Sequence, residues 1–160
     1  MKKIYLSGKD IFALVDDEDY VFLNRWPWHL NCKGYAVRGR TKADVDVPGG
    51  QTIFMHRVIA QTPKGMYTDH IDNDKLNNQR SNLRWCTNQE NTRNRPKTRY
   101  NTSGYKGVTW NKPTKSWRAN IAYNGKRIYL GLHKDVKDAA RAYNAAAEKL
   151  YGDFAQLNEV

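Results

Sequence analysis

Residues Thr68–Arg95 read TDHIDNDKLNNQRSNLRWCTNQENTRNR. One histidine, His70, follows Asp69 directly, and a run of asparagines trails behind it. Two short strand signals, GMYTDH and NLRWCT, flank a polar loop. Thr87 with Glu90 three residues later forms a capping box. It predicts a short helix over 88–95 that Pro96 stops. The local order is strand, loop, strand, helix. A calcium loop does not fit: counted from Asp72, the sixth position is Asn77 where glycine is needed, and the twelfth is Leu83 where glutamate is needed. Asparagine and aspartate also populate tight turns, because their side chains bond nearby backbone groups. That explains DNDKLNNQRSN in part. It leaves open why Asn91 lies in the helix and why an Asp-His pair ends the first strand.

The rest of the chain narrows the chemistry. Lys and Arg total 27 of 160 residues against 16 acidic ones, a net charge of +11. So large an excess on a short chain predicts an anionic partner, either nucleic acid or an anionic membrane. The membrane is the poorer choice. No apolar run approaches the roughly 20 residues needed to span a bilayer, and the one long helix is not basic enough to lie on lipid. The N-terminus lacks a secretory apolar core, so the reading is a cytoplasmic protein. Two cysteines, Cys32 and Cys86, with no CxxC make a four-ligand zinc site or a disulfide framework unexpected.

Three regions differ in texture. In the first, to about residue 60, the runs IFALV, YVFL, GYAVRGR and QTIFMHRVIA read as short strands of a small antiparallel sheet. Trp26, Trp28 and Tyr35 are its expected core, with His29 packed among them. The opening stretch forms the second region. After PKTRYNTS at 96–103, which reads as a basic linker, a third region holds three strands and a helix. The strands are GYKGVTWN, SWRANIAYNGK and RIYLGLH, with a hairpin signal at Asn124-Gly125. The helix is DVKDAARAYNAAAEKLYG, which Asp135 can cap and Gly152 can end.

Asp69-His70, then Asn82 in RSNLR, then Asn91 in NQENTRNR resemble the HNH nuclease family in its asparagine-terminated variant. The resemblance spans roughly residues 10–95 and is tightest over 53–95, where MHRVIA also fits. It implies the ββα-metal fold, His70 as general base, Asp69 and Asn91 as metal ligands, and Asn82 as the residue that holds the loop and orients His70. The chemistry is coherent. A histidine titrates near neutral pH and can take a proton from water. A hard cation, Mg²⁺ or Mn²⁺, prefers oxygen donors and stabilises charge at the phosphate. His56 either lies near this site or packs beside Met55 and Val58. Arg80, Arg84, Arg93 and Arg95 flank the constellation and are candidates for phosphate contacts.

Residues 103–158 resemble the Apetala2-type DNA-binding domain of plant ethylene-response factors, in GYKGVTW, SWRANI, GKRIYLGLH, AARAYNAAAEKLYG and AQLN. That family lays three antiparallel strands in the major groove with the helix on the far face. Strand alternation turns Ala119, Ile121, Ile128, Leu130 and Val108 inward, with Trp117 on the same side. It turns Thr109, Asn111, Arg118, Asn120, Arg127 and Tyr129 outward, with Lys106 near the start of the first strand. Arginine can read guanine and asparagine adenine. Thr109 and Asn120 stand where plant factors often carry arginine, which changes the target rather than the mode of binding.

The expectation is an α+β chain: a nuclease domain over 1–95, a linker over 96–103 and a DNA-binding domain over 104–160. Its function is site-directed cleavage of double-stranded DNA, by nicking or a double-strand cut, of homing type, by a monomer in the cytoplasm of a bacterial host cell and of phage-like origin. The alternative is a sequence-specific DNA-binding regulator whose nuclease module is inactive.

Overall fold

The computed structural model describes every residue of the chain except Lys9, Asp46, Pro48 and Gly49. The chain is α+β, with small antiparallel sheets and a few helices, and it divides into two compact units, Met1–Asn91 and Thr92–Val160.

In the first unit, β1 (Lys2–Tyr5) pairs with β2 (Phe12–Val15). A second sheet runs β3 (His29–Leu30), β4 (Ala36–Gly39), β5 (Thr52–Phe54). The run YVFL is not a strand. It lies in helix α1, Asp17–Leu23, because Asp17, Glu18 and Asp19 occupy a first turn whose dipole favours carboxylates. Likewise QTIFMHRVIA is strand only to Phe54 and then turns into α2, Met55–Ile59. The core gathers Ile4, Leu6, Ala13, Val15, Leu23, Trp28, Ala36, Ile53, Met55 and Ile59. Trp28 is buried as expected, Trp26 and Tyr35 are partly so, and His29 faces solvent instead of joining them. Arg38 is buried against Trp26, with its guanidinium carbon 4.3 Å from the ring centroid, and pairs with the buried Asp44 at 2.5 Å.

The opening stretch folds as β6 (Tyr67–His70), a loop with a 3-10 turn at Arg80–Asn82, β7 (Leu83–Cys86) and α3 (Asn88–Asn94). The capping box forms: Thr87 N–H donates to Glu90 Oε2 at 2.8 Å, and Glu90 N–H donates to Thr87 Oγ1 at 3.3 Å. The loop is pinned to β2 by a parallel bridge. Leu14 N–H reaches Leu76 O, and Asn78 N–H reaches Leu14 O, each at 2.8 Å.

In the second unit, β8 (Val108–Asn111), β9 (Ser116–Tyr123) and β10 (Lys126–His133) form one antiparallel sheet with β9 in the middle. Helix α4, Val136–Tyr151, packs Ala139, Ala140, Tyr143 and Ala147 against Val108, Ala119 and Ile121. Asp135 caps it through Lys137 N–H at 2.6 Å. Gly107 has no substitute: at φ 76 a Cβ would lie 2.7 Å from the Asn120 carbonyl and overlap the Tyr143 ring. Asn124 and Gly125, at φ 49 and 74, make the expected hairpin turn. The segment expected as a linker is tied to this unit. Lys97 Nζ donates to Gly104 O at 2.6 Å, and Asn101 Nδ2 donates to Tyr105 O at 2.8 Å. Among the described residues, no helix is long and apolar enough to cross a membrane.

Candidate active site and nucleic-acid face

Strand β6 ends in the Asp-His pair, and both side chains are 5% exposed. His70 Nε2 lies 3.0 Å from Asn78 Oδ1. Its ring meets those of His56 at 5.1 Å and Tyr35 at 6.1 Å between centroids. Burial lowers its pKa; the Asn78 contact and the charges of Asp72, Asp69 and Asp74 oppose that shift without reversing it. A neutral imidazole near physiological pH follows. His56 is both near the site and packed. Burial first, then the charges of His70 and Arg57, push it down to about 3.

Asn82 is bonded across the loop. Its Nδ2 donates to Asp72 Oδ1 and to Asn77 O, each at 2.8 Å, and its Oδ1 accepts Asp72 N–H at 3.1 Å. Asp72 is the hub of this loop. Burial disfavours its charge, but hydrogen bonds from Asn77, Asn82 and Asp74 N–H outweigh burial and keep the carboxyl below its usual pKa. The ring contact of His70, however, goes to Asn78 rather than Asn82. Sequence reading passed over Asn78, since NN in a polar loop looks like turn chemistry; its significance comes from the bridge to β2.

Asp69 stands opposite Arg84 across the hairpin, and directly opposed residues share a face. Arg84 Nε and Nη2 lie 2.9 and 2.8 Å from Asp69 Oδ2. Arg84, a candidate for DNA contact, is turned onto this carboxylate by the register. Asn91 is half-buried in the first turn of α3, its N–H bonded to Thr87 O at 3.0 Å. Cys86 connects these positions. Burial, then the charges of Asp69 and Glu90, push its thiol up to about 11, while Asn91 N–H pulls the other way. Arg80 is also engaged, 2.7 Å from both Glu18 Oε1 and Asp19 Oδ1.

The outer face of the second unit carries three rows of paired residues. They are Thr109-Arg118-Leu132, Asn120-Tyr129 and Ala122-Arg127. Asn111 lies beyond the first row, opposite Ser116. Thr109, Arg118, Arg127 and Tyr129 are exposed, and Asn120 and Asn111 are half-buried. Three expectations change. Ile128, read as inward, is 37% exposed near the hairpin end of the edge strand β10. Lys106 does not project outward: its Nζ donates to Arg93 O at 2.6 Å and Arg95 O at 2.5 Å, and burial lowers it to about 8. Those carbonyls lie at the C-terminal end of α3, where a cation is favoured. Arg93 lies over the rings of both Tyr123 and Tyr151, its guanidinium carbon 5.1 and 5.0 Å from their centroids. Arg95 remains exposed.

Comparison with known proteins finds a family for each unit. Residues 54–93 match the HNH endonuclease family, and residues 103–153 match the AP2 domain. A protein of Acanthamoeba polyphaga mimivirus, named as an uncharacterized HNH endonuclease, is 32% identical over 159 residues, 96% of this chain and 78% of that protein. The chain belongs to the HNH endonuclease family. A prophage-derived protein of Bacillus subtilis whose name carries the words HNH homing endonuclease is 41% identical over 64 residues, 37% of this chain and 35% of its own length. An APETALA2-like protein of Oryza sativa subsp. indica is 42% identical over 67 residues, 42% of this chain and 15% of that protein. No solved structure matches significantly.

HNH nucleases generally work with a divalent ion. Among the described residues no cluster of three or more His, Cys, Asp or Glu side chains could hold a metal. Cys86, the soft donor beside Asp69, is a neutral thiol. The Asp69 carboxylate, which Arg84 already pairs, is an oxygen donor of the kind a hard ion keeping several waters prefers.

Proposed function

We propose that the first unit hydrolyses phosphodiester bonds of double-stranded DNA, with His70 as general base and a Mg²⁺ or Mn²⁺ ion held by Asp69 and Asn91. The observation that carries this reading is the buried, neutral His70 beside the Asp69 carboxylate. A neutral ring takes a proton from the attacking water without first losing one of its own. The ion, when bound, supplies charge stabilisation at the phosphate and the leaving oxygen. Asn82 keeps the loop closed beneath the base through Asp72 and Asn77. The sheet of the second unit lies in a major groove and selects the site, with Thr109, Asn111, Arg118, Asn120, Arg127 and Tyr129 on the reading face and Arg95 free to meet phosphate. A nuclease unit joined to a site-reading unit suits a homing role in a phage-like setting. With one such site per chain, a monomer nicks one strand and a dimer cuts both.

One observation favours a DNA-binding regulator with a silent nuclease unit: Arg84 already occupies the Asp69 carboxylate. Incubation with supercoiled plasmid and Mg²⁺ separates the two readings. The wild type should convert plasmid to the nicked form, EDTA should stop it, and His70→Ala should lose cleavage while binding duplex normally. Plasmid left intact by the wild type would establish the regulator. Cleavage at the wild-type rate by His70→Ala would remove His70 from the chemistry.

A further inference from the structure

Asn78 is fully buried, at 0% exposure, and no role for it follows from the Asp69, His70, Asn82 and Asn91 pattern. Its main-chain N–H donates to Leu14 O at 2.8 Å, which fixes the backbone to β2. Its Nδ2 lies 3.4 Å from Leu76 O and 3.6 Å from Met55 Sδ, both acceptors. The amide is thereby turned with its oxygen toward His70, 3.0 Å from Nε2. Asn82, the other asparagine of the loop in reach of a structural role, is committed to Asp72 and Asn77.

A neutral imidazole carries its proton on one nitrogen and its lone pair on the other. A carboxamide oxygen only accepts. Opposed to Nε2, it stabilises the form with hydrogen on Nε2 and disfavours the other tautomer, in which two acceptor atoms would face each other inside a low-dielectric site. We infer that Asn78 is a positioning residue that holds the His70 proton on Nε2 and so leaves the basic lone pair on Nδ1. The inference rests on the reading of His70 as general base for its catalytic consequence, but the tautomer itself is independent of that reading. The geometry around the ring supports a fixed orientation. His56 packs edge-on against it at 75° between planes, and Tyr35 covers it at 40°.

The test uses the full chain labelled with ¹⁵N in the imidazole rings, the His70 signals being assigned as those missing from His70→Ala. Long-range ¹H–¹⁵N spectra at pH 7.5 read which nitrogen carries hydrogen. The wild type should show a single Nε2–H form. Asn78→Asp, which keeps an oxygen in place, should retain it. Asn78→Leu should show a mixture. Plasmid nicking by Asn78→Leu should fall about 10- to 100-fold in kcat, the cost typical of losing the partner of a functional ring N–H. KM should move by no more than about twofold, and Asn78→Asp should recover part of the loss. An Nδ1–H form in the wild type overturns the inference, and so does a folded Asn78→Leu that keeps the wild-type tautomer and rate. If Asn78→Leu does not fold, the wild-type spectrum alone still decides. If His70→Ala cuts normally, the general-base reading fails while the spectrum continues to judge the Asn78 contact.

Discussion

His56, at 7% exposure among Phe54, Tyr35 and His70, ties the stability of the first unit to pH. Its folded-state pKa of about 3 lies below the unfolded value of 6.5, and His70 is lowered as well. Below pH 6.5 the unfolded chain therefore binds protons that the folded chain refuses. Stability is complete above that pH and declines as pH falls toward 3, by up to about 1.4 kcal/mol per pH unit for His56, and His70 adds to the decline in the same direction. Asp44, held below the usual carboxylate range by Arg38 against the cost of burial, gives way only at lower pH, so the window from 6.5 to 5 isolates the histidines. Urea midpoints should drop between pH 7 and pH 5, and His56→Phe, which keeps an aromatic ring there, should remove part of the drop. An unchanged pH dependence in that variant would show that His56 is not the buried base described. At this scale the sequence was legible where a short local pattern suffices, as in the strand that ends at Asp69-His70 and the helix that carries Asn91. It was opaque where a partner decides the role. Nothing local says that Arg84 faces Asp69, that Lys106 caps the end of α3, or that Asn78 meets His70.

The same contrast holds for elements. Hairpin and capping signals act over two to four residues, so the Asn124-Gly125 turn, the Thr87–Glu90 box and helix α4 all formed as read. YVFL failed because four apolar or aromatic residues fit either a strand or one helix turn, and the acidic run before them decides for the helix. Alternation in β10 is interrupted past Tyr129, where the register shifts and Gly131, at φ 116, pairs with Ala119. A glycine inside a strand was the available signal for such a bulge. Its consequence is specific: the extra residue brings Leu132, 40% exposed, onto the outer face in one row with Arg118 and Thr109. An apolar side chain in a major groove meets the thymine methyl group. Leu132→Ala should therefore weaken duplex binding at one thymine, and the wild type should lose a similar several-fold when that thymine is replaced by uracil. Once Leu132 is gone, the uracil substitution should have no further effect. Additive losses from the two changes would place Leu132 away from the bases.

At the scale of the whole molecule, two cores share one chain, and the question is where the second begins. The basic, periodicity-free 96–103 segment suggested a start near residue 104, because a linker is recognised by the lack of a buried face. The contacts of the second unit instead begin at Thr92. Arg93 lies over the rings of Tyr123 and Tyr151, and the carbonyls of Arg93 and Arg95 receive the half-buried Lys106 ammonium. A fragment of residues 100–160 keeps the sheet and α4 but strands that ammonium without its acceptors, a penalty of about 1–3 kcal/mol. It also exposes the tyrosine faces that Arg93 covers, worth roughly 0.5–1 kcal/mol more. For a domain of this size each kcal/mol moves the melting temperature by about 4–8 °C. The fragment Thr92–Val160 should thus melt at least about 5 °C above Tyr100–Val160. Lys106→Met, which removes the charge but keeps the stem, should narrow the gap by stabilising the shorter fragment more than the longer one. Equal melting temperatures for the two fragments would mean that residues 92–99 add nothing to the second core and that it closes at the strand β8 side alone.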